Sequence, residues 1–306
     1  MLSNSSSVDI LTLSSLDLQP TYIYPSFVFG TLLYLITVFC NLLVLLTIAV
    51  SKKLHKPMFI LLLNLPISDI VGATALFPHF LFSIITESRL ISSEACITQA
   101  FFIHIYGNLM FLTAMAYDRY MAICSPLKYN AVMNSQNLLR IICLIWFLNF
   151  ALMFTLFMLL ARFKFCRTNI ADWYCNNPSL LKLVCSDITL NNYYGLFTII
   201  LDMGAPLILI LYTYAQILFT CVKTNNTNGR KKAIQTCSTH LVVFLVLQVN
   251  TTFTLISHRF ENASPFLRRA LGVSVLIFPP FLDPLIYGLR TRELRHLIFV
   301  SFFWLS

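Results

Sequence analysis

Seven stretches of this chain are nearly free of charge. Residues 21–50, 95–117, 141–161 and 233–257 hold no Asp, Glu, Lys or Arg. Residues 57–86 hold only Asp69, 188–222 only Asp202 and 270–289 only Asp283. A helix that crosses a bilayer needs roughly 20 mostly apolar residues, and each stretch supplies them. Backbone N–H and C=O groups find no water in lipid, so an open chain crosses it as helices. The pattern predicts an all-α membrane protein, a bundle of seven transmembrane helices. Their approximate spans are 23–50, 57–86, 95–121, 138–161, 188–222, 231–258 and 266–289. Only 11% of residues are charged and 58% are hydrophobic. Soluble domains carry about 25% charged residues, and one soluble core could not hide this much apolar surface.

Lysine and arginine in the short loops set the orientation. With the N-terminus outside, 13 of the 21 basic residues fall on the cytoplasmic side and 8 outside. No basic residue precedes the first span, and Lys52, Lys53 and Lys56 follow it. The net charge of +9 therefore reads as membrane topology. Its scatter over loops does not make a nucleic-acid surface, and no nucleic-acid partner is expected. The first 20 residues have no basic n-region, so the first span is expected to act as its own signal anchor. The Ser-rich segment before it reads as a disordered outer tail with a glycosylation sequon at Asn4. A second sequon at Asn262 is weakened by Pro265, and those at Asn225 and Asn250 fall in a cytoplasmic loop and a helix.

The chain reads as one domain over 1–306 without an internal repeat, which argues against a transporter built from two similar halves. Residues 290–300 read as a short amphipathic helix lying on the membrane surface. Cys96, Cys166, Cys175 and Cys185 fall outside, where disulfides persist, and four cysteines allow three pairings. They lack the close paired spacing of a zinc site. Cys40, Cys124, Cys143, Cys221 and Cys237 are expected as free thiols within or below the membrane. No nucleophile–base–acid set and no HExxH motif points to an enzyme. A channel would want several polar residues along one path, whereas Asp69, Asp202 and Asp283 stand alone on three helices.

The most informative short string runs from Met115 to Cys124, MAYDRYMAIC. Asp118 and Arg119 are the only Asp, Glu, Lys or Arg between Glu94 and Lys128. Ionisable groups at a membrane boundary are costly and usually functional. The string resembles the hallmark of olfactory receptors, a branch of the rhodopsin-like (class A) G-protein-coupled receptors. Other strings share the resemblance: Leu54 to Phe59 (LHKPMF), Asn41, Asp69, Lys232 to Leu241 (KAIQTCSTHL) and Pro279 to Tyr287 (PPFLDPLIY). Phe101-Phe102-Ile103-His104 further resembles the fish-like class of the family.

This resemblance implies a receptor in the plasma membrane of olfactory sensory neurons. It would bind a small odorant and activate a stimulatory, olfactory-type G protein to raise cyclic AMP. The alternatives are a non-olfactory chemosensory receptor of the same superfamily, or a small-solute transporter or channel. The resemblance also implies the disulfides Cys96–Cys175 and Cys166–Cys185. It makes Asp118, Arg119 and Tyr120 the G-protein switch, with Tyr214 and Tyr287 as partners of Arg119 in the active arrangement. The other reading of Asp118 and Arg119 is a static boundary ion pair. Asn41, Asp69, Asn108 and Asp283 form an expected polar network, holding a sodium ion near Asp69, a shared proton or water, or else one neutral hydrogen-bonded acid. No other cofactor and no metal centre is expected.

The ligand site is implied in the outer half, between the third, fifth and sixth helices. Asp202 is either a ligand contact or an interhelical hydrogen bond, and His104 either a contact or a core histidine. Arg259, beside His258, either meets an acidic odorant or marks the interface. Phe101, Phe197, Phe253 and Ile256 line the pocket or pack the core. Two positions depart from the family. Asp283 stands where asparagine is usual. Cys96 and Arg119 are 119 − 96 = 23 residues apart. The family usually has about two more, and two residues turn a helix by about 200°. The shortfall lies between His104 and Met115, so a local irregularity or a re-registered pocket face is expected there.

Overall fold

The computed structural model describes residues 9–106, 109–223, 241, 244–246, 248–254, 264–290 and 294–297. Among these residues, six helical spans are long and apolar enough to cross a membrane: Pro20–Val50, Pro57–Thr86, Ser93–Cys124, Ser135–Ala161, Thr189–Lys223 and Pro265–Gly288. The span expected over 231–258 falls mostly outside the described residues, and its described parts, 241, 244–246 and 248–254, are helical. Of the amphipathic helix expected over 290–300, residues 294–297 are described and helical. Large apolar side chains cover the outside of the bundle; Phe29, Phe147, Tyr193 and Ile208 are each 69% exposed. A belt of this size is untenable in water, and the chain is a multi-pass membrane protein.

Proline and its missing N–H set much of the local geometry. Helix α1 (Pro20–Val50) and helix α2 (Pro57–Leu62) both begin with proline in the first turn, where no N–H is needed. The second span continues after Leu63 as α3 (Asn64–Thr86). Pro66 cannot donate to the Leu62 carbonyl, so the ladder loses a bond at this junction. The third span is α4 (Ser93–Tyr106) and α5 (Met110–Cys124), with residues 107–108 outside the described ones. The irregularity expected between His104 and Met115 falls partly on those residues; just before them Asn149 donates to the Ile105 carbonyl at 2.9 Å. A short inner helix, α6 (Pro126–Val132), leads to the fourth span, α7 (Ser135–Ala161), which is capped by the Asn134 side chain accepting from the Asn137 N–H.

An outer-loop helix, α8 (Asn177–Leu181), precedes the fifth span. That span is α9 (Thr189–Ile199), a π-helical turn over Ile200–Gly204, and α10 (Ala205–Lys223). Pro206 leaves the Asp202 carbonyl without its usual donor, and the wider turn absorbs that defect. Helix α11 (Pro265–Arg290) contains Pro279, Pro280 and Pro284. The Pro280 carbonyl would pair with the N–H that Pro284 lacks, and Asn41 of α1 donates to it instead at 2.7 Å. Helix α3 packs against α1, α4 and α11, and α5 against α10.

The bundle is all-α as expected, but the segment before it, read from its serines as a disordered tail, is structured from Asp9 through the first span. Strand β1 (Ile10–Thr12) pairs antiparallel with β2 (Leu90–Ser92), Leu11 opposite Ile91. Thr12 also donates to the Thr168 carbonyl and accepts from the Ile170 N–H, both at 2.8 Å. Leu11 and Leu13 are 0% and 4% exposed, in a cluster with Ile91, Ile170 and Leu183. Two leucines at a strand's period of two outweigh the serines around them. The N-terminal segment is a strap sewn to both outer loops.

Candidate functional site

The outer half of the bundle holds a half-open cavity of about 150 Å³ lined by residues of α4, α7, the fifth and sixth spans, α11 and the long outer loop. His104, Tyr106, Tyr174, Thr198, Asp202 and Thr254 are among its walls. The π-turn carries Asp202 into this wall, 9% exposed. His104 Nδ1 lies 2.7 Å from the Ala100 carbonyl, and its ring meets Phe157 edge-on. Tyr106 lies against Gly72, where a methyl group would sit 2.5 Å from its Cγ. The Tyr174 hydroxyl comes as close to Gly272, 2.6 Å from where a methyl carbon would stand. Both glycines are what allow two tyrosines to enter the space between helices.

Three of the expected pocket aromatics lie elsewhere. Phe101 packs at 5.7 Å against Phe150 and Phe157 of α7. Phe197 and Phe253 are 51% and 60% exposed on the bundle exterior. Phe197 precedes Asp202 by five residues, about 140° around a helix, so the two cannot share a face. Ile256, Arg259, His258, Asn108 and Asn4 lie outside the described residues.

The outer loop closes over the cavity as a pinned lid. Cys96 bonds Cys175, and Cys166 bonds Cys185, with Cα separations of 5.3 and 6.0 Å. The Cys175 N–H donates to Gln99 Oε1 at 2.9 Å. Asp172 is 1% exposed and accepts from Asn176 Nδ2 at 3.0 Å and from Ser179 Oγ. Arg268 Nε of α11 completes an ion pair with it at 3.4 Å. Burial pushes the Tyr174 phenol above its ordinary range, and the Asp172 charge adds to this.

In the middle of the bundle, Asn41, Asp69 and Asp283 are 0%, 3% and 6% exposed. The two carboxylates lie within each other's field, on α3 and α11. Asn41 Oδ1 and Asp69 Oδ2 are buried oxygens that accept no hydrogen bond from the described residues.

At the inner end, Asp118 is fully buried and Arg119 Nη2 lies 3.5 Å from it. The same nitrogen contacts Met58 Sδ at the start of the second span. The Tyr129 hydroxyl of α6 donates to Asp118 Oδ1 at 2.9 Å. Burial, followed by the Asp118 charge, pushes the Tyr129 phenol up to about 12. It stays protonated, and able to donate, through the physiological range. Tyr214 and Tyr287 are 5% and 3% exposed and share a core cluster with Leu112, Met115 and Ile210. Tyr120 packs against the edge of the same cluster, its ring 6.3 Å from that of Tyr212, which is 55% exposed.

The profile of the olfactory receptor family matches residues 30–303. The chain belongs to the olfactory receptor family. Olfactory receptor 52B2 of Homo sapiens is 34% identical over 276 residues, 89% of this chain and 85% of that protein. Olfactory receptor 10A5 of Homo sapiens is 33% identical and spans 98% of this chain and 96% of its own length. Olfactory receptor 1M1 of Mus musculus is 35% identical over 86% and 85%. Squid rhodopsin superposes with a TM-score of 0.74 over 95% of this chain and 91% of its own, at 17% identity, which establishes the rhodopsin-like seven-helix fold. Family and fold are those of a receptor with a small-molecule ligand and a heterotrimeric G-protein partner, not of an enzyme.

Several side chains of this olfactory receptor's site escape a reading of the sequence. Thr198 stands four residues before Asp202, hence on its face, and that spacing could have found it. Asp172 and Arg268 are 96 residues apart and only the folded lid brings them together. Tyr129 reaches back to Asp118 because Ser125 and Pro126 end one helix and start another.

Proposed function

We propose that the chain is an odorant receptor that binds its ligand in the outer cavity and activates a stimulatory, olfactory-type G protein, raising cyclic AMP. Its setting is the plasma membrane of olfactory sensory neurons, with lipid against the exposed apolar belt. One observation carries the reading. The third span holds His104 and Tyr106 in the cavity wall at one end and the Asp118–Arg119 pair at the other. A ligand that shifts this span would reach the switch along the same stretch of chain. The test is cyclic AMP in cells that carry a stimulatory G protein and this receptor, screened with amines, alcohols, acids and apolar volatiles. A ligand-dependent rise supports the reading, and ion current without any nucleotide response sinks it.

A sodium ion near Asp69 belongs to the same proposal. Hard cations take oxygen donors, and the buried oxygens of Asp69 and Asn41 that accept no protein hydrogen bond fit one. Its bound charge would let Asp69 and Asp283 coexist as carboxylates; the second reading is a proton held between them.

Tyr129 would steady the resting switch. Hydrogen bonds to a charged group contribute about 1.5–3 kcal/mol, so Tyr129→Phe should raise basal cyclic AMP several-fold at equal surface density. Unchanged basal cyclic AMP would remove Tyr129 from the mechanism.

A further inference from the structure

Several of the cavity's polar groups give their proton to backbone. The Thr198 hydroxyl donates to the Gly195 carbonyl at 2.9 Å and the Thr254 hydroxyl to the Asn250 carbonyl at 3.0 Å. The Tyr106 hydroxyl donates to the Val275 carbonyl at 3.3 Å. A carbonyl can only accept, so His104 Nδ1 carries the proton it gives to Ala100. These four groups have each spent a proton on backbone, which leaves the three hydroxyl oxygens with acceptor capacity only. Asp202 adds a carboxylate, nine-tenths buried, with no hydrogen bond or ion pair to another described residue. No Lys or Arg stands among the described lining residues to offset the Asp202 charge.

A ligand suited to such a wall brings donors and a positive charge. An ammonium group has three N–H donors and no acceptor. It pairs with a buried carboxylate by charge-assisted bonds roughly twice as strong as neutral ones. The volume limits what the ammonium is attached to. Drug-sized ligands fill pockets of about 300–1,000 Å³, whereas an apolar cavity near 150 Å³ admits benzene. The space here is about 150 Å³, and Ile103, Met153 and Leu276 supply its apolar walls. We propose that the cavity takes a small monoamine in its ammonium form, with one ring or a short alkyl chain, paired to Asp202. This rests on the reading of the cavity as the odorant site.

Binding can be measured apart from signalling. The purified receptor in lipid nanodiscs would be titrated with benzylamine, benzyl alcohol and benzoate, following its thermal unfolding. Benzylamine should reach half-saturation at a concentration at least about tenfold below benzyl alcohol, the step that ~1.4 kcal/mol produces, and benzoate should give no shift. Asp202→Asn should bring amine and alcohol level, and Asp202→Glu should restore the preference. The wild-type comparison needs no variant, so a misfolded Asp202→Asn protein leaves the test intact. A wild type that favours the alcohol or benzoate, shows no benzylamine shift, or keeps its amine preference in folded Asp202→Asn overturns the proposal. Cyclic AMP read in parallel separates the two ideas. An alcohol or acid that signals without an amine preference keeps the odorant receptor and removes the amine. Amine binding without signalling does the reverse.

Discussion

Replacing Arg119 with alanine is expected to silence the receptor while leaving it at the cell surface. The guanidinium sits 26% exposed beside a fully buried Asp118 and against Met58, at the inner end of the third span. The guanidinium is only partly withdrawn from water, and Asp118 keeps its Tyr129 partner in the variant. The fold therefore loses less than the signal does. Tyr214 and Tyr287 lie buried in the inner core cluster, where a released arginine would find hydroxyls when the bundle opens. Without a cation nothing bridges that change, and ligand-evoked cyclic AMP should fall by at least about tenfold, more than one ~1.4 kcal/mol step. The measurement is cyclic AMP against ligand dose, with surface receptor counted by an N-terminal tag. Full signalling at normal surface density would make Asp118 and Arg119 a static pair and end the switch reading.

Asp172→Ala is expected to damage the outer end more than any single change to its disulfide-free contacts. The carboxylate is 1% exposed and holds Asn176, Ser179 and Arg268. Alanine would leave the Arg268 side chain, 12% exposed, facing a lid with no charge to meet it. Removing one partner of a buried pair destabilises by about 3–5 kcal/mol. The expected result is a large loss of surface receptor and faster thermal inactivation after purification. Adding Arg268→Met should recover part of the loss, because an apolar replacement of both partners removes the stranded charge. A single variant as heat-resistant as wild type would show that the lid does not depend on this pin.

The bundle was legible because lipid imposes one solution on long uncharged segments, and Pro57, Pro66, Pro206 and Pro284 mark where helices start or bend. The Asp118–Arg119 pair was legible as part of a string, MAYDRYMAIC, since the two residues are adjacent in sequence. The outer cavity was less so. Its walls come from Tyr106, Tyr174, Thr198 and Thr254, four residues on separate elements, and apolar content alone placed Phe197 and Phe253 on the wrong face. The strap was missed for a different reason. Serine-rich composition argues for disorder, yet Leu11 and Leu13 decide the matter once β2 and the Thr168–Asp172 backbone are beside them.

That strap also orders events during synthesis. β1 leaves the ribosome before either of its partners, Leu90–Ser92 and then the backbone from Thr168 to Asp172. Its pairing is long-range, and long-range contacts form late. Until the fourth span is threaded and the loop behind it reaches the oxidising lumen, Leu11 and Leu13 have only β2 beside them. A chain that stalls there shows a lumenal chaperone two half-covered leucines. A finished one hides them, so closure of the strap reports that insertion of the first four spans is complete.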